Sequence, residues 1–100
     1  MKDNKLKNKN KKEMVTVKKF SAVWCGPCRA LAPVMTEIKG QFSNVTFEDY
    51  DVDEAYDESS KYGITSVPTI IIEKNGEIVE RFTGLSSKIA YVNAINEAIK

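Results

Sequence analysis

The chain changes character after residue 13. Residues 1–13 carry one apolar side chain after Met1, Leu6, and are otherwise mostly lysine and asparagine. From Met14 onward the apolar positions recur with the periods of regular structure. Met14 to Ala22 mixes β-branched and apolar residues with Lys18 and Lys19 and predicts a strand. Pro27 to about Gln41 predicts a helix, because Leu31, Val34, Met35, Ile38 and Phe42 fall on one stripe. Pro27 suits a first helical turn, whereas Pro33 lies inside and is expected to kink the helix. Val45 to Val52 predicts a second strand, and Glu54 to Tyr62 a short helix stopped by Gly63. Thr69 to Lys74 and Glu77 to Thr83 read as strands joined by Asn75-Gly76, a strong two-residue hairpin signal. Ser86 or Ser87 then caps a last helix with Tyr91, Val92, Ile95 and Ile99 on one side. The order β-α-β-α-β-β-α predicts an α/β fold. Its mixed sheet of about four strands begins parallel, ends in an antiparallel hairpin and carries helices on both faces.

One hundred residues make a single domain, here residues 14–100. At 42% hydrophobic and 29% charged, the composition is that of a globular protein. No apolar run approaches the 20 or so residues of a membrane span, and no apolar stretch of signal-peptide length follows the basic start. The expectation is a small soluble domain in the cytoplasm, with no membrane contact. Residues 1–13 hold six lysines against Asp3 and Glu13, a net charge of +4, and the remainder carries −3 of the total +1. Such a segment buries too little to offset its ordering entropy and is expected to be a disordered tail. Basic arms can bind nucleic acid or acidic partners, but this one lacks aromatic residues to stack on bases, so nucleic acid is not an expected partner. The chain has no histidine, which excludes an imidazole base or ligand. Its two cysteines are too few for a four-ligand structural zinc site without carboxylates, and no metal is expected.

One constellation carries chemistry: Trp24-Cys25-Gly26-Pro27-Cys28, running from the first strand into the first helix. Two residues three apart on a helical turn lie about 5–6 Å apart at Cα, within disulfide range. The first cysteine falls at the helix N-terminus, where free N–H groups and the positive dipole end favour a thiolate. The second sits one turn inside, where burial keeps it a neutral thiol. An exposed attacking sulfur beside a sheltered resolving one is what thiol–disulfide exchange needs. Two other readings compete. A structural bridge closing so short a loop restricts the unfolded chain little, and half of a shared metal site needs ligands from a second chain. Redox chemistry is the favoured reading.

These residues resemble the thioredoxin family. Trp-Cys-Gly-Pro-Cys followed by Arg29 and Pro33 is similar to the family's active-site helix. Tyr62-Gly63-Ile64 and Ser66-Val67-Pro68-Thr69 resemble the stretch ending in its cis-proline, and Lys74-Asn75-Gly76-Glu77 with Phe82-Thr83-Gly84 its hairpin and following glycine. The resemblance implies that Cys25 attacks a protein disulfide and Cys28 resolves the mixed disulfide, with Gly26 and Pro27 setting the loop geometry. It implies a cis bond before Pro68, which lies against the disulfide and leaves the Val67 backbone to pair with an extended substrate. Trp24 becomes a flat wall beside the site rather than a core residue, and Gly84 with Leu85 an apolar rim, although a plain turn glycine also explains Gly84. It further implies a monomer without bound cofactor, working through a Cys25–Cys28 disulfide and re-reduced by an NADPH-dependent thioredoxin reductase. A glutaredoxin-like reductase, a thiol oxidant or isomerase, and a non-catalytic accessory subunit remain as alternatives. Gly-Pro between the cysteines resembles the reductase branch.

Three departures stand out. Only the polar tail precedes the strand that leads to the cysteines, which implies a shortened, four-stranded outline closer to glutaredoxin. Ser21 stands where the family usually has a tryptophan. Lys19 stands six residues before Cys25, where the family keeps a buried acid that relays the proton of the resolving thiol. Counting back 19 residues from Pro68 reaches Asp49, where the family commonly has a lysine. The two charges are therefore expected to be exchanged, Lys19 and Asp49 forming a pair beneath the site. Strand parity does not decide whether Lys19 is buried, because apolar residues flank both Lys18 and Lys19.

Overall fold

In a computed structural model, which describes residues 14–100, the predicted order of elements is present. It comprises β1 (Val15–Ser21), α1 (Gly26–Gln41), β2 (Val45–Asp51), α2 (Tyr56–Lys61), β3 (Thr69–Lys74), β4 (Glu77–Thr83) and α3 (Lys88–Ile99). The expected disordered tail over residues 1–13 lies outside the described residues. The four strands form one sheet in the order β2-β1-β3-β4. β1 runs parallel to β2, pairing Lys19 with Asp49, and antiparallel to β3. β3 and β4 form the hairpin.

The apolar pattern explains this arrangement. Val15 and Val17 of β1 and Ile70 and Ile72 of β3 point to one face, where they meet Leu31, Met35 and Ile38 of α1 and Tyr91, Ile95 and Ala98 of α3. Phe20 and Ile71 point to the other face and pack with Tyr62, Tyr50, Val52 and Ile64 around the end of α2. Asn75 and Gly76 both adopt positive φ, 54° and 86°, as a two-residue hairpin of primed type requires. Asn75 also accepts the Met14 N–H through Oδ1 at 3.0 Å, tying the start of β1 to the turn.

Three local details differ from the pattern's expectation. α1 continues unbroken through Pro33, whose ring lies on the solvent side, so water can reach the carbonyl left without its N–H partner. α2 begins at Tyr56 rather than Glu54, because Asp51 to Ala55 form a tight turn. There the Glu54 and Ala55 N–H groups both donate to the Asp51 carbonyl, at 2.9 and 2.7 Å. Of the two candidate caps for α3, Ser87 serves, its Oγ accepting the Ala90 N–H at 3.2 Å.

β1 and β3 are covered on both faces, so both adjacent lysines of β1 are largely buried. Lys18 enters the face opposite α1 and meets three carboxylates, Glu48 at 3.6 Å, Glu73 at 3.7 Å and Glu58 at 3.9 Å. Its ammonium also lies 4.9 Å from the Tyr62 ring centroid. Tyr62 donates its hydroxyl proton to Glu73, and Tyr50 donates to Glu48 at 2.6 Å. Burial works to lower the Lys18 pKa, but the hydrogen bond with Tyr62 and the Glu73 charge outweigh it and raise the group above the ordinary lysine range. The Tyr50 hydroxyl is pushed up to about 12 by its bond to Glu48 and by burial. Tyr62 is raised by burial and its bond to Glu73, and Tyr91 by burial.

All four groups hold their protons more tightly folded than unfolded. Their contribution is therefore complete below the ordinary tyrosine value of 10.0 and is lost as pH climbs past it. The urea midpoint should stay level from pH 7 to about 9.5 and fall steeply above pH 10. A midpoint unchanged at pH 11 would contradict this reading of the cluster.

Candidate functional site

β1 ends at Ser21, and Ala22, Val23 and Trp24 carry the chain into the N-terminus of α1. Cys25 is the helix cap. Its backbone is extended (φ −92°, ψ 111°), and its Sγ accepts the Cys28 N–H at 3.1 Å, where a capping oxygen would otherwise sit. Gly26 and Pro27 open the helix, and Pro27 removes only an N–H that has no helical partner at that point. Cys25 and Cys28 are joined as a disulfide with Cα atoms 5.2 Å apart. The first turn of α1 carries no acidic residue, so nothing there opposes an anionic sulfur.

The difference in exposure expected between the two cysteines is absent in this bridged state. Cys25 is 4% exposed and Cys28 6%, and both pack with Ala22, Val52 and Val67. The remaining asymmetry is one of bonding, since only the Cys25 sulfur receives a helix N–H.

Residues distant in sequence complete the rim. The Val67–Pro68 bond is cis, Pro68 is fully buried, and Val67 packs against the cysteine cluster. Gly84, at φ +87°, donates its N–H to the Pro68 carbonyl at 2.8 Å. That bond and the positive φ make it more than a turn filler. Leu85 beside it is exposed. Trp24 is 63% exposed, which removes the core reading, and its Nε1–H donates to Asp53 Oδ2 at 2.8 Å.

Lys19 and Asp49 do meet, Nζ to Oδ1 at 3.7 Å. The expected buried pair is only half formed, however. The Lys19 side chain is 15% exposed, but that of Asp49 is 77% exposed. β2 is an edge strand of the sheet, so Asp49 keeps its hydration with or without Lys19, and the pair is worth what surface pairs are worth. Lys19 also lines a cleft with Ser21, Cys28, Arg29 and Asp51, which brings it to Cys28.

Two carboxylates at the site, Asp51 and Asp53, escape a motif-based reading. Strand register carries the signal for Asp51: if Lys19 faces Asp49 in a parallel pair, Ser21 faces Asp51 two residues on. Among the described residues no group of His, Cys, Asp and Glu stands where it could hold a metal ion, and no helix is long and apolar enough to cross a membrane.

Known proteins share this chain's sequence and its fold. The family model described as Thioredoxin matches residues 2–97. Thioredoxin H4-1 of Oryza sativa subsp. japonica is 42% identical over 82 residues, which cover 82% of this chain and 63% of the rice protein. The chain thus spans a little under two thirds of that relative's length. Thioredoxin of Bacillus subtilis is 37% identical over 86 residues, covering 85% of this chain and 83% of its own. The X-ray structure of Fasciola hepatica thioredoxin superposes with a TM-score of 0.80 at 35% identity, covering 94% of this chain and 88% of that one. A crystal structure of a thioredoxin from Nicotiana alata gives 0.80 at 33%, covering 85% and 73%.

Proposed function

Because the chain belongs to the thioredoxin family of thiol–disulfide oxidoreductases, we propose that it reduces protein disulfides by dithiol–disulfide exchange through Cys25 and Cys28. The observation that carries this reading is the cysteine pair at the head of α1, with the Cys28 N–H aimed at the Cys25 sulfur. In the reduced chain that N–H and the helix dipole favour a Cys25 thiolate. The thiolate attacks one sulfur of a substrate disulfide, forming a mixed disulfide and releasing the first substrate thiol. Cys28 then gives up its proton and attacks Cys25 Sγ, closing the Cys25–Cys28 bond and releasing the second thiol. Two electrons and two protons pass to the substrate, and no bound cofactor takes part.

Trp24 forms the wall against which the substrate lies, and Val67, Pro68 and Gly84 the opposite rim, offering backbone to an extended segment. Gly26 and Pro27 hold the two sulfurs in register. Lys19, with Asp49 at its outer end, places a cation in the cleft beside Cys28. An NADPH-dependent thioredoxin reductase restores the dithiol, and the protein acts as a monomer in the cytoplasm, where such a reductase keeps thiols reduced.

The test is disulfide reduction in insulin with NADPH and a thioredoxin reductase. NADPH should be consumed in step with disulfide loss and without glutathione. Turnover only with glutathione would favour the glutaredoxin-like alternative. No turnover with either donor would favour a non-catalytic accessory subunit.

A further inference from the structure

Closing the Cys25–Cys28 bond requires the Cys28 thiol to lose a proton before its sulfur can attack. Three charged residues line a cleft together with Cys28, and two of them, Lys19 and Arg29, are cations with no lone pair to accept it. The third is Asp51. β2 carries it to this place, because the parallel register sets Ser21 against Asp51 two residues beyond Lys19 and Asp49. Strand alternation then puts Asp51 on the sheet face that α1 covers. Asp51 is half-buried and its Oδ1 accepts the Asp53 N–H at 2.9 Å, which holds the carboxylate in place at the end of the strand.

We propose that Asp51 accepts the Cys28 proton through water in this cleft when the mixed disulfide is resolved, an inference that rests on the dithiol–disulfide reading above. The cleft, of about 350 Å³, has room for water and offers it Lys19, Ser21, Arg29 and Asp51 as partners. The proton passes from Cys28 Sγ through water to the Asp51 carboxylate. The Cys28 sulfur bonds to Cys25 Sγ while the Cys25–substrate bond breaks, and the electron pair of that bond leaves on the substrate sulfur. The departing thiolate is then protonated from Asp51 or solvent, which returns the carboxylate to its starting state. Lys19 on β1 and Arg29 on α1 face the same cleft, so the Cys28 sulfur becomes anionic beside two cations. Asp49, on the same face but outside this cleft and 77% exposed, is hydrated and pairs with Lys19 instead.

Asp51→Asn separates this role from a structural one, since an asparagine oxygen can still accept the Asp53 N–H. The reduced full-length chain is mixed rapidly with a protein disulfide between pH 6 and 9, and mixed-disulfide formation and release of the second thiol are followed separately. In the variant the first step should be unchanged. Resolution should slow roughly 100-fold at pH 7, the lower end of what a positioned base supplies, and the gap should narrow toward pH 9 as solvent deprotonates the thiol. Asp51→Glu should restore part of the rate. Wild-type resolution by Asp51→Asn at every pH would overturn the proposal, as would an equal slowing of both steps without pH dependence. A wild-type chain that forms no mixed disulfide would overturn the dithiol reading itself, a result distinct from either.

Discussion

Cys25→Ser is expected to reduce disulfide turnover to background, whereas Cys28→Ser should accumulate a covalent complex with substrate. A serine hydroxyl is a poor nucleophile near neutral pH without a base beside it, and no histidine exists to supply one. The two losses differ because the cysteines occupy different chemical positions. Cys25 caps α1 and its sulfur receives the Cys28 N–H, so it is the sulfur most easily held as a thiolate. With serine at 28, Cys25 can still attack, but nothing inside the chain can displace the substrate. The complex should appear on a non-reducing gel as a band of summed mass and vanish on adding dithiothreitol. Accumulation by Cys25→Ser instead would reverse the two roles.

Lys18→Met should be strongly destabilising. It removes the cation shared by Glu48, Glu58 and Glu73, and leaves the Glu73 side chain, 8% exposed, as an uncompensated buried charge. Breaking one side of a buried pair costs roughly 3–5 kcal/mol. Glu48 and Glu58 are 40% and 34% exposed and can turn to water, which points to about 3 kcal/mol, the lower end of that range. For a domain of this size that corresponds to a fall in Tm on the order of 15 °C. Adding Glu73→Gln removes the stranded charge while leaving an amide oxygen for the Tyr62 hydroxyl, so the double variant should regain at least half of the loss. Thermal unfolding of the three variants reads this directly. A double variant no more stable than Lys18→Met would mean that Lys18 acts by packing on Tyr50 and Tyr62 rather than by charge.

Much of this architecture is legible along the chain because it is written in short-range patterns. The α1 stripe, the Asn75-Gly76 turn and the cysteine motif each occupy only a few residues of sequence. What the pattern leaves undecided depends on partners far away. Lys18 and Lys19 are adjacent, and a period of two exposes at most one of them on a half-buried strand. Both are covered because β1 lies inside a sheet packed on its two faces, and Lys18 is tolerated because Glu73, 55 residues later, points to it. The exposure of Asp49 follows from the edge position of β2, which strand order determines and local periodicity does not. Cys25 is buried in the bridged state because its sulfur is bonded to that of Cys28 and packed with Ala22, Val52 and Val67, none of which the motif itself reveals. Asp51 lies within reach of the same register count that leads to Asp49, but it belongs to no motif, and only the packed sheet brings it to Cys28.

The central claim is that the Cys25 and Cys28 thiols supply both electrons of the reaction, and a single-turnover stoichiometry tests it most directly. The chain is reduced, freed of reductant and mixed with excess protein disulfide in the absence of any other thiol. One substrate disulfide should be lost per chain, with the chain's own two thiols disappearing together and a Cys25–Cys28 bridge recovered by peptide mass analysis. Thiols that persist on the chain while the substrate stays oxidised would contradict the account.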